Sequence, residues 1–232
     1  EMNQGWFAKR GLKKGDRLAM VIPESEDFVL TFLGAVTVGV VPVPMYPPLA
    51  LGKLDGYMET AERILSTSRA RLLVTTKKVA PILWSLAGKA QGLEDIITVD
   101  RLAEPAPFDG EPVSVSPSDP CFLQFTSGST GAPRGVPLSN LNLASNCQSI
   151  VAAYGLSAAT RGFSWLPLHH DMGLVGHILT PFWIGCRSTI MDPLLFLQAP
   201  LRWLRRAGEE RATITSAPNF AYQLCARAAA DG

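Results

Sequence analysis

Short β-branched or apolar runs alternate with longer amphipathic stretches along almost the whole sequence, a beat that layered α/β architectures accommodate. Residues 17–22 read as a strand, and Pro23-Glu24-Ser25-Glu26-Asp27 then opens a helix with acids in its first turn, where the helix dipole favours them. Phe28, Phe32 and Val36 share one face of that helix. Residues 40–45 form the next apolar run, and Tyr57, Ala61, Ile64 and Leu65 recur at the spacing of a buried helix face. The unit repeats as a strand at 71–75, a helix over 78–90 and a strand at 95–99. Further strands are predicted at 121–125, 163–166, 187–191 and 212–216, alternating with helices over 140–154, 172–184, 200–207 and 219–230. The economical fold is α/β: a layered, mostly parallel β-sheet with helices on both faces, in which ligands bind at the carboxyl ends of the strands.

Charge and composition narrow the function classes. With 21 basic and 20 acidic residues the net charge is +1, so no whole-chain field attracts nucleic acid or an anionic membrane surface, and neither is expected as a partner. Hydrophobic residues at 47% against charged residues at 18% exclude a disordered chain, and 232 residues allow one large domain or two small ones. Residues 101–120 carry Pro105, Pro107, Pro112, Pro117 and Pro120 without periodicity and read as a Pro-rich loop inside one domain. Residues 28–52 carry no charge, yet Pro42, Pro44, Pro47 and Pro48 leave too short a helix to cross a bilayer. No membrane span is expected there, but a buried helix running into a buried strand. Cys121, Cys147, Cys186 and Cys225 show no CxxC or metal spacing and read as reduced, mostly buried thiols. No secretory signal pattern is visible, so a cytoplasmic location is expected. Glu1 opens the chain without Met, and Gly232 follows directly on an apolar helical pattern, so both ends are expected to be cuts through a longer protein.

The strongest chemical signal is Phe125-Thr126-Ser127-Gly128-Ser129-Thr130-Gly131-Ala132-Pro133-Arg134-Gly135-Val136, between a predicted strand and a predicted helix. Its small residues let backbone N–H and side-chain O–H groups turn toward one anion, and Arg134 adds a forked cation. In chemical terms this is a polyphosphate cradle. It is neither a GxxxxGK[ST] loop nor a GxGxxG fingerprint. The bland alternative is a flexible linker, which seldom embeds a fixed Pro-Arg-Gly-Val ending between a buried strand and a helix.

A second constellation is Trp165-Leu166-Pro167-Leu168-His169-His170-Asp171-Met172-Gly173-Leu174, with His177 close behind. The histidine spacing does not suit joint chelation, since the i, i+4 pair of a zincin is absent. A His170–Asp171 pair at a strand end suits contact with a phosphate or carboxylate, whereas Asp171 alone could simply cap the helix that follows. His169 and His177 are read as structural residues that pack or meet solvent.

Residues 126–136 resemble the phosphate-binding signature of the adenylate-forming superfamily, which includes acyl-CoA synthetases, nonribosomal-peptide adenylation domains and luciferases. Three further stretches resemble its fatty acyl-AMP ligase branch in particular: Val41-Pro42-Val43-Pro44-Met45-Tyr46-Pro47-Pro48, then Leu166-Pro167-Leu168-His169-His170-Asp171-Met172-Gly173-Leu174, then Pro218-Asn219-Phe220-Ala221-Tyr222. The resemblance spans nearly the whole chain, with its motifs in order.

The resemblance implies that residues 1–232 form part of a large N-terminal domain that binds ATP and acyl group, with the C-terminal catalytic domain absent. It implies that Thr126, Ser127, Gly128, Ser129, Thr130 and Gly131 hold the β- and γ-phosphates of ATP, Thr126 also positioning Mg²⁺. Arg134 stands where the family usually has Lys, so the charge survives with a different geometry. His170 is implied to lie beside the acyl carboxylate and α-phosphate, making His170 and Arg134 the implied catalytic residues. His169 departs from the family's more frequent Tyr. Gly173, Asn219, Phe220 and Tyr222 lie toward the acyl-binding region with His170. The implied reaction converts a fatty acid and ATP to acyl-adenylate and pyrophosphate. Its acceptor would be an acyl carrier protein or a polyketide or nonribosomal-peptide synthase. A fatty acyl-CoA synthetase using CoA is the alternative, and a non-catalytic nucleotide-binding or interaction module the distant one. With the adenine-site motifs, the Mg²⁺-binding Glu and the catalytic Lys outside the chain, these residues alone are expected to adenylate poorly or not at all.

Overall fold

The computed structural model describes residues 4–48, 54–102, 113–126 and 133–230, and the chain divides into two compact units, Glu1–Asn142 and Leu143–Gly232. In the first unit α1 (Gln4–Lys9) precedes β1 (Arg17–Val21), α2 (Ser25–Thr37), β2 (Val41–Pro44), α3 (Leu54–Ser68) and β3 (Leu72–Thr75). Then come α4 (Ala80–Leu83), a 3₁₀ turn (Trp84–Leu86), β4 (Asp95–Thr98) and α5 (Val99–Leu102). The four strands are all parallel in the order β2-β1-β3-β4. Central β1 and β3 are buried almost throughout, as the unbroken apolar runs of a two-sided parallel sheet require.

Strand β2 reads Val-Pro-Val-Pro, an odd sequence for a sheet until its register is followed. Val41 N–H donates to Asp16 and Met45 N–H to Met20, so the odd-numbered residues face β1. The missing donors of Pro42 and Pro44 then fall on the far edge, where a parallel neighbour would need them. Here β5 (Pro120–Thr126) lies against β2 yet pairs in ladder fashion only with β6 (Arg134–Ser139). The inner face of α3 buries Tyr57, Ala61, Ile64 and Leu65 against Ala19, Val21, Val43 and Leu73, as their spacing predicts. Each fully buried aliphatic side chain of this kind contributes about 1.5–3 kcal/mol.

The sequence places a helix over 78–90, but only Ala80–Leu83 and one 3₁₀ turn form. Pro81 has no N–H for the Lys77 carbonyl and so bars a start at 78, and Gly88, at φ +81°, closes the segment by entering the left-handed region. A second difference concerns the predicted passage from glycine-rich loop to helix. An antiparallel strand, β6, intervenes before α6 (Asn140–Tyr154).

In the second unit β7 (Arg161–Ser164) and β8 (Arg187–Ile190) pair in parallel. Between them run α7 (Asp171–Leu174), a π-helical turn (Val175–Leu179) and α8 (Thr180–Ile184), one continuous rod over the predicted 172–184 helix. The π turn has a local cause. Pro181 has no N–H to give the carbonyl of His177, and Thr180 N–H reaches back to Val175 instead. Ser188 Oγ fills the vacancy, donating to the His177 carbonyl at 2.7 Å.

After β8 come α9 (Pro193–Gln198), α10 (Leu201–Glu209) and α11 (Asn219–Ala230). The sequence reading omits α9, although Asp192-Pro193 signals its start. Asp192 accepts Leu194 N–H at 2.8 Å, and Pro193 stands at the first helical position. The strand predicted at 212–216 does not form, leaving a single bridge between Gly162 and Ile214. Phe163, Trp165, Leu166, Phe196, Trp203, Ala221 and Cys225 make the core of this unit. All four cysteines are free thiols, and Cys121, Cys147 and Cys225 are buried. Among the described residues no helix is long and apolar enough to cross a membrane.

Candidate active site

In the first unit the site is built on the β5–β6 pair. Thr126 closes β5 and Arg134 opens β6, directly opposite one another in the antiparallel register, with residues 127–133 joining the two strands. Opposed residues present their side chains on one face about 4.5–5.5 Å apart at Cβ, so Thr126 and Arg134 share one face of the strand pair. Both residues are exposed. Arg134 is therefore a strand residue, not the loop residue that the sequence pattern suggests. Ser127, Gly128, Ser129, Thr130 and Gly131 lie outside the described residues.

Gly135 explains the next position of the pattern. It pairs with Phe125, and a Cβ added there would stand 3.0 Å from Phe125 Cζ and 3.3 Å from Leu123 Cδ1. The ring of Phe125 lies over a bare backbone and packs at the edge of the Tyr57–Leu65 core. The β5–β6 pair thus reaches the hydrophobic core through Leu123 and Phe125.

In the second unit the chain leaves β7 through buried Trp165, Leu166 and Leu168 before reaching His170. His170 is the N-cap of α7, in extended conformation at φ −102° and ψ 142°. Its Nδ1 lies 2.6 Å from Asp171 Oδ1 and 3.4 Å from Met172 N, while Met172 N–H reaches Asp171 Oδ1 at 2.7 Å. One nitrogen cannot serve both neighbours, and the shorter contact decides. Nδ1–H donates to the Asp171 carboxylate, which also accepts Met172 N–H, and Nε2 of the exposed ring takes no part in these contacts. Asp171, the first residue of α7, thus accepts a first-turn N–H and contacts the histidine ring at once.

Gly173 makes this turn possible. An added Cβ would collide with the Pro167 carbonyl oxygen and stand 3.1 Å from that of Leu166, so only glycine lets α7 pack on the 166–167 backbone. His169 and His177 behave as packed residues. Burial, with the charge of His170 in second place, pushes His169 down to about 4, and burial alone does the same for His177.

Asn219, Phe220 and Tyr222 share the first turn of α11 and are exposed. They border an aromatic wall that sequence reasoning did not assemble. Trp165 stacks on Phe196 with ring centroids 3.7 Å apart and meets Phe220 edge-on at 6.3 Å, while Tyr222 meets Trp203 at 5.3 Å. Buried Trp165 Nε1 has no hydrogen-bond partner. Trp165 links the two predicted groups, because it leads by sequence to His170 and by contact to Phe220. Among the described residues no three His, Cys, Asp or Glu side chains converge as a metal site.

The family model of the AMP-binding enzymes matches residues 5–232, and the chain belongs to that family. It is 34% identical over 220 residues to a provisionally named acyl-CoA synthetase of Caulobacter vibrioides, covering 94% of this chain and 38% of that one. It is 32% identical to the long-chain-fatty-acid–AMP ligase FadD23 of Mycobacterium tuberculosis, covering 99% of this chain and 40% of the relative. A solved fatty acyl-adenylate ligase of L. pneumophila, in complex with acyl adenylate and pyrophosphate, superposes with a TM-score of 0.83 at 33% identity, over 97% of this chain and 38% of that one. The chain thus spans about two fifths of the length of the relatives it matches.

Proposed function

We propose that this chain is the ATP- and acyl-binding part of the N-terminal domain of an enzyme that activates a fatty acid as acyl-adenylate. The observation that carries the reading is the Thr126–Arg134 pair, a hydroxyl and a forked cation set on one face at the two ends of a Ser/Thr/Gly run. A carboxylate oxygen of the fatty acid attacks the α-phosphorus of ATP, the bond to the β-phosphate oxygen breaks, and pyrophosphate leaves with the electron pair. Negative charge spreads over phosphoryl oxygens in that transition state, so fixed donors and cations supply the catalysis and no protein nucleophile is needed.

Thr126, Ser127, Gly128, Ser129, Thr130 and Gly131 hold the β- and γ-phosphates in this reading, and Arg134 neutralises charge growing on pyrophosphate. His170, its Nδ1–H fixed by Asp171, offers Nε2 to the head of the substrate. Gly173 keeps that turn against Pro167, and Asn219, Phe220 and Tyr222 border the acyl chain. Mg²⁺ takes oxygen ligands and often enters on substrate phosphates, which fits a chain whose nearest contribution is the Thr126 hydroxyl. The ion would neutralise phosphate charge there.

The test is fatty-acid-dependent ATP–pyrophosphate exchange by the full-length enzyme. Arg134→Ala is expected to lower the exchange rate about 10²-fold, with a raised KM for MgATP. Exchange that Arg134→Ala leaves intact would sink the reading. The Caulobacter relative's name supports a second reading, in which CoA and not a carrier protein takes the acyl group. Offering both acceptors to the preformed adenylate separates them: thioester on the carrier's phosphopantetheine arm alone supports the acyl-AMP ligase, and acyl-CoA supports the alternative.

A further inference from the structure

The segment that the sequence marks as a strand, 212–216, meets β7 through backbone bonds at Thr213 and Ile214 only, and side chains hold the rest of it. Thr213 Oγ1 accepts Arg161 N–H at 3.0 Å, Thr215 Oγ1 accepts Trp203 Nε1–H at 2.9 Å, and Ser216 Oγ lies 2.7 Å from His177 Nε2. The last of these is the unusual one. His177 is 3% exposed and sits in the π turn that Pro181 imposes, a backbone form frequent at functional sites. Its backbone is fixed by Ser188 and its ring by Ser216, so the histidine is held at both ends.

Beyond Ser216 only Ala217 and Pro218 intervene before α11, and the Pro218 carbonyl accepts Ala221 N–H at 3.0 Å. Whatever fixes Ser216 therefore fixes the first turn of α11, where Asn219, Phe220 and Tyr222 stand. We propose that the His177–Ser216 hydrogen bond sets the position of that turn and so the room left for the acyl chain, making His177 and Ser216 positioning residues that determine chain-length preference. The inference rests on the acyl-activating function proposed above. Neither residue touches the reacting atoms. An apolar pair would fill the same volume, whereas a partly buried polar pair, His177 buried and Ser216 half-buried, favours the one arrangement that keeps its hydrogen bond. Burial keeps the ring neutral at working pH, with one nitrogen a donor and the other an acceptor, so the bond to Ser216 is a neutral one.

The test uses the full-length enzyme, trapping acyl-adenylate with hydroxylamine across saturated fatty acids from octanoate to stearate. Ser216→Ala and His177→Leu are each expected to displace the preferred chain length and to change KM for the best acid about tenfold, leaving KM for ATP unchanged. His177→Gln, which keeps a polar group near the place of Nε2, should restore most of the original profile. The double variant should be no worse than either single one, because both remove the same bond. Should Ser216→Ala fail to fold, Ser216→Cys weakens the bond at nearly the same volume and carries the same comparison. An unchanged chain-length profile, or equal losses for every acid and for ATP, overturns the positioning role. Wild-type enzyme that gives no hydroxamate from any fatty acid overturns the acyl-activating function itself, and that result is distinguishable from the others.

Discussion

Two residues in the 166–174 turn do work that their chemical types alone do not announce. Gly173 bears no functional group, yet any side chain there would collide with the carbonyl of Pro167. That contact is with backbone, so relief requires moving the start of α7, which carries His170 and Asp171. Gly173→Ala is expected to lower kcat/KM for adenylate formation at least tenfold, with loss of melting temperature, because a small-to-large change in a packed site costs about 1–3 kcal/mol. Asp171 is the second such residue. Truncating it to Ala leaves the imidazole in place without its 2.6 Å anchor, so its nitrogens lose their assigned roles. About a tenfold loss in kcat is expected for Asp171→Ala and a larger one for His170→Ala, both read in a hydroxylamine-trapping assay. Equal activity of Asp171→Ala and wild type would show that the ring needs no orienting partner.

At the level of elements, the β5–β6 strand pair rests on a core, and Gly135 faces the Phe125 ring where the two meet. A Cβ at 135 would press on the edge of the Phe125 ring, itself packed at the edge of the first-unit core. Gly135→Ala should therefore lower stability by about 1–2 kcal/mol in urea unfolding and weaken nucleotide binding as Phe125 shifts under Thr126. A variant as stable as wild type would mean that the ring moves freely. The parallel repeat from β1 to β4 was legible in sequence because its strands are unbroken apolar runs and its long helices keep a strict inner face. Strand β6 was not legible. Arg134 to Pro137 are all exposed and show no alternation, so only pairing with β5 reveals the strand. The opposite error, at 212–216, has a matching cause. Ala-Thr-Ile-Thr-Ser has strand propensity, but Thr213 takes a backbone N–H of β7 on its hydroxyl, Thr215 and Ser216 find side-chain partners, and backbone pairing stops at a single bridge. Of the site, His170 and the Thr/Arg flanks stood out as chemistry-bearing types, whereas the Trp165–Phe196–Trp203 wall depends on long-range packing that no local pattern encodes.

Across the whole molecule, the two units carry different titrating groups and should respond differently to acid. His169 and His177 belong to the second unit, and both are pushed down to about 4 from an ordinary value of 6.5. Between those values the unfolded chain binds protons that the native unit refuses. Stability therefore falls as pH drops from about 6.5 toward 4, at up to about 1.4 kcal/mol per pH unit for each histidine, and levels off below. In the first unit, hydrogen bonds from Arg71 to Glu94, from Thr98 and Lys77 to Asp100, and from Lys14 to Asp119 hold those carboxyls below their usual range. Their stabilisation is lost only as pH falls below the ordinary carboxylate values. Asp27, raised by burial and by Glu24 and Glu26, works the other way, since its protonation on acidification relieves the native state. Hydrogen exchange of the full-length enzyme at pH 7.5 and pH 5, corrected for intrinsic rates, should show peptides of the second unit losing protection first. His177→Gln, which has no titrating ring, should remove about half of that difference. Earlier loss of protection in the β1–β4 peptides would mean that the carboxylates and not the buried histidines set the acid limit.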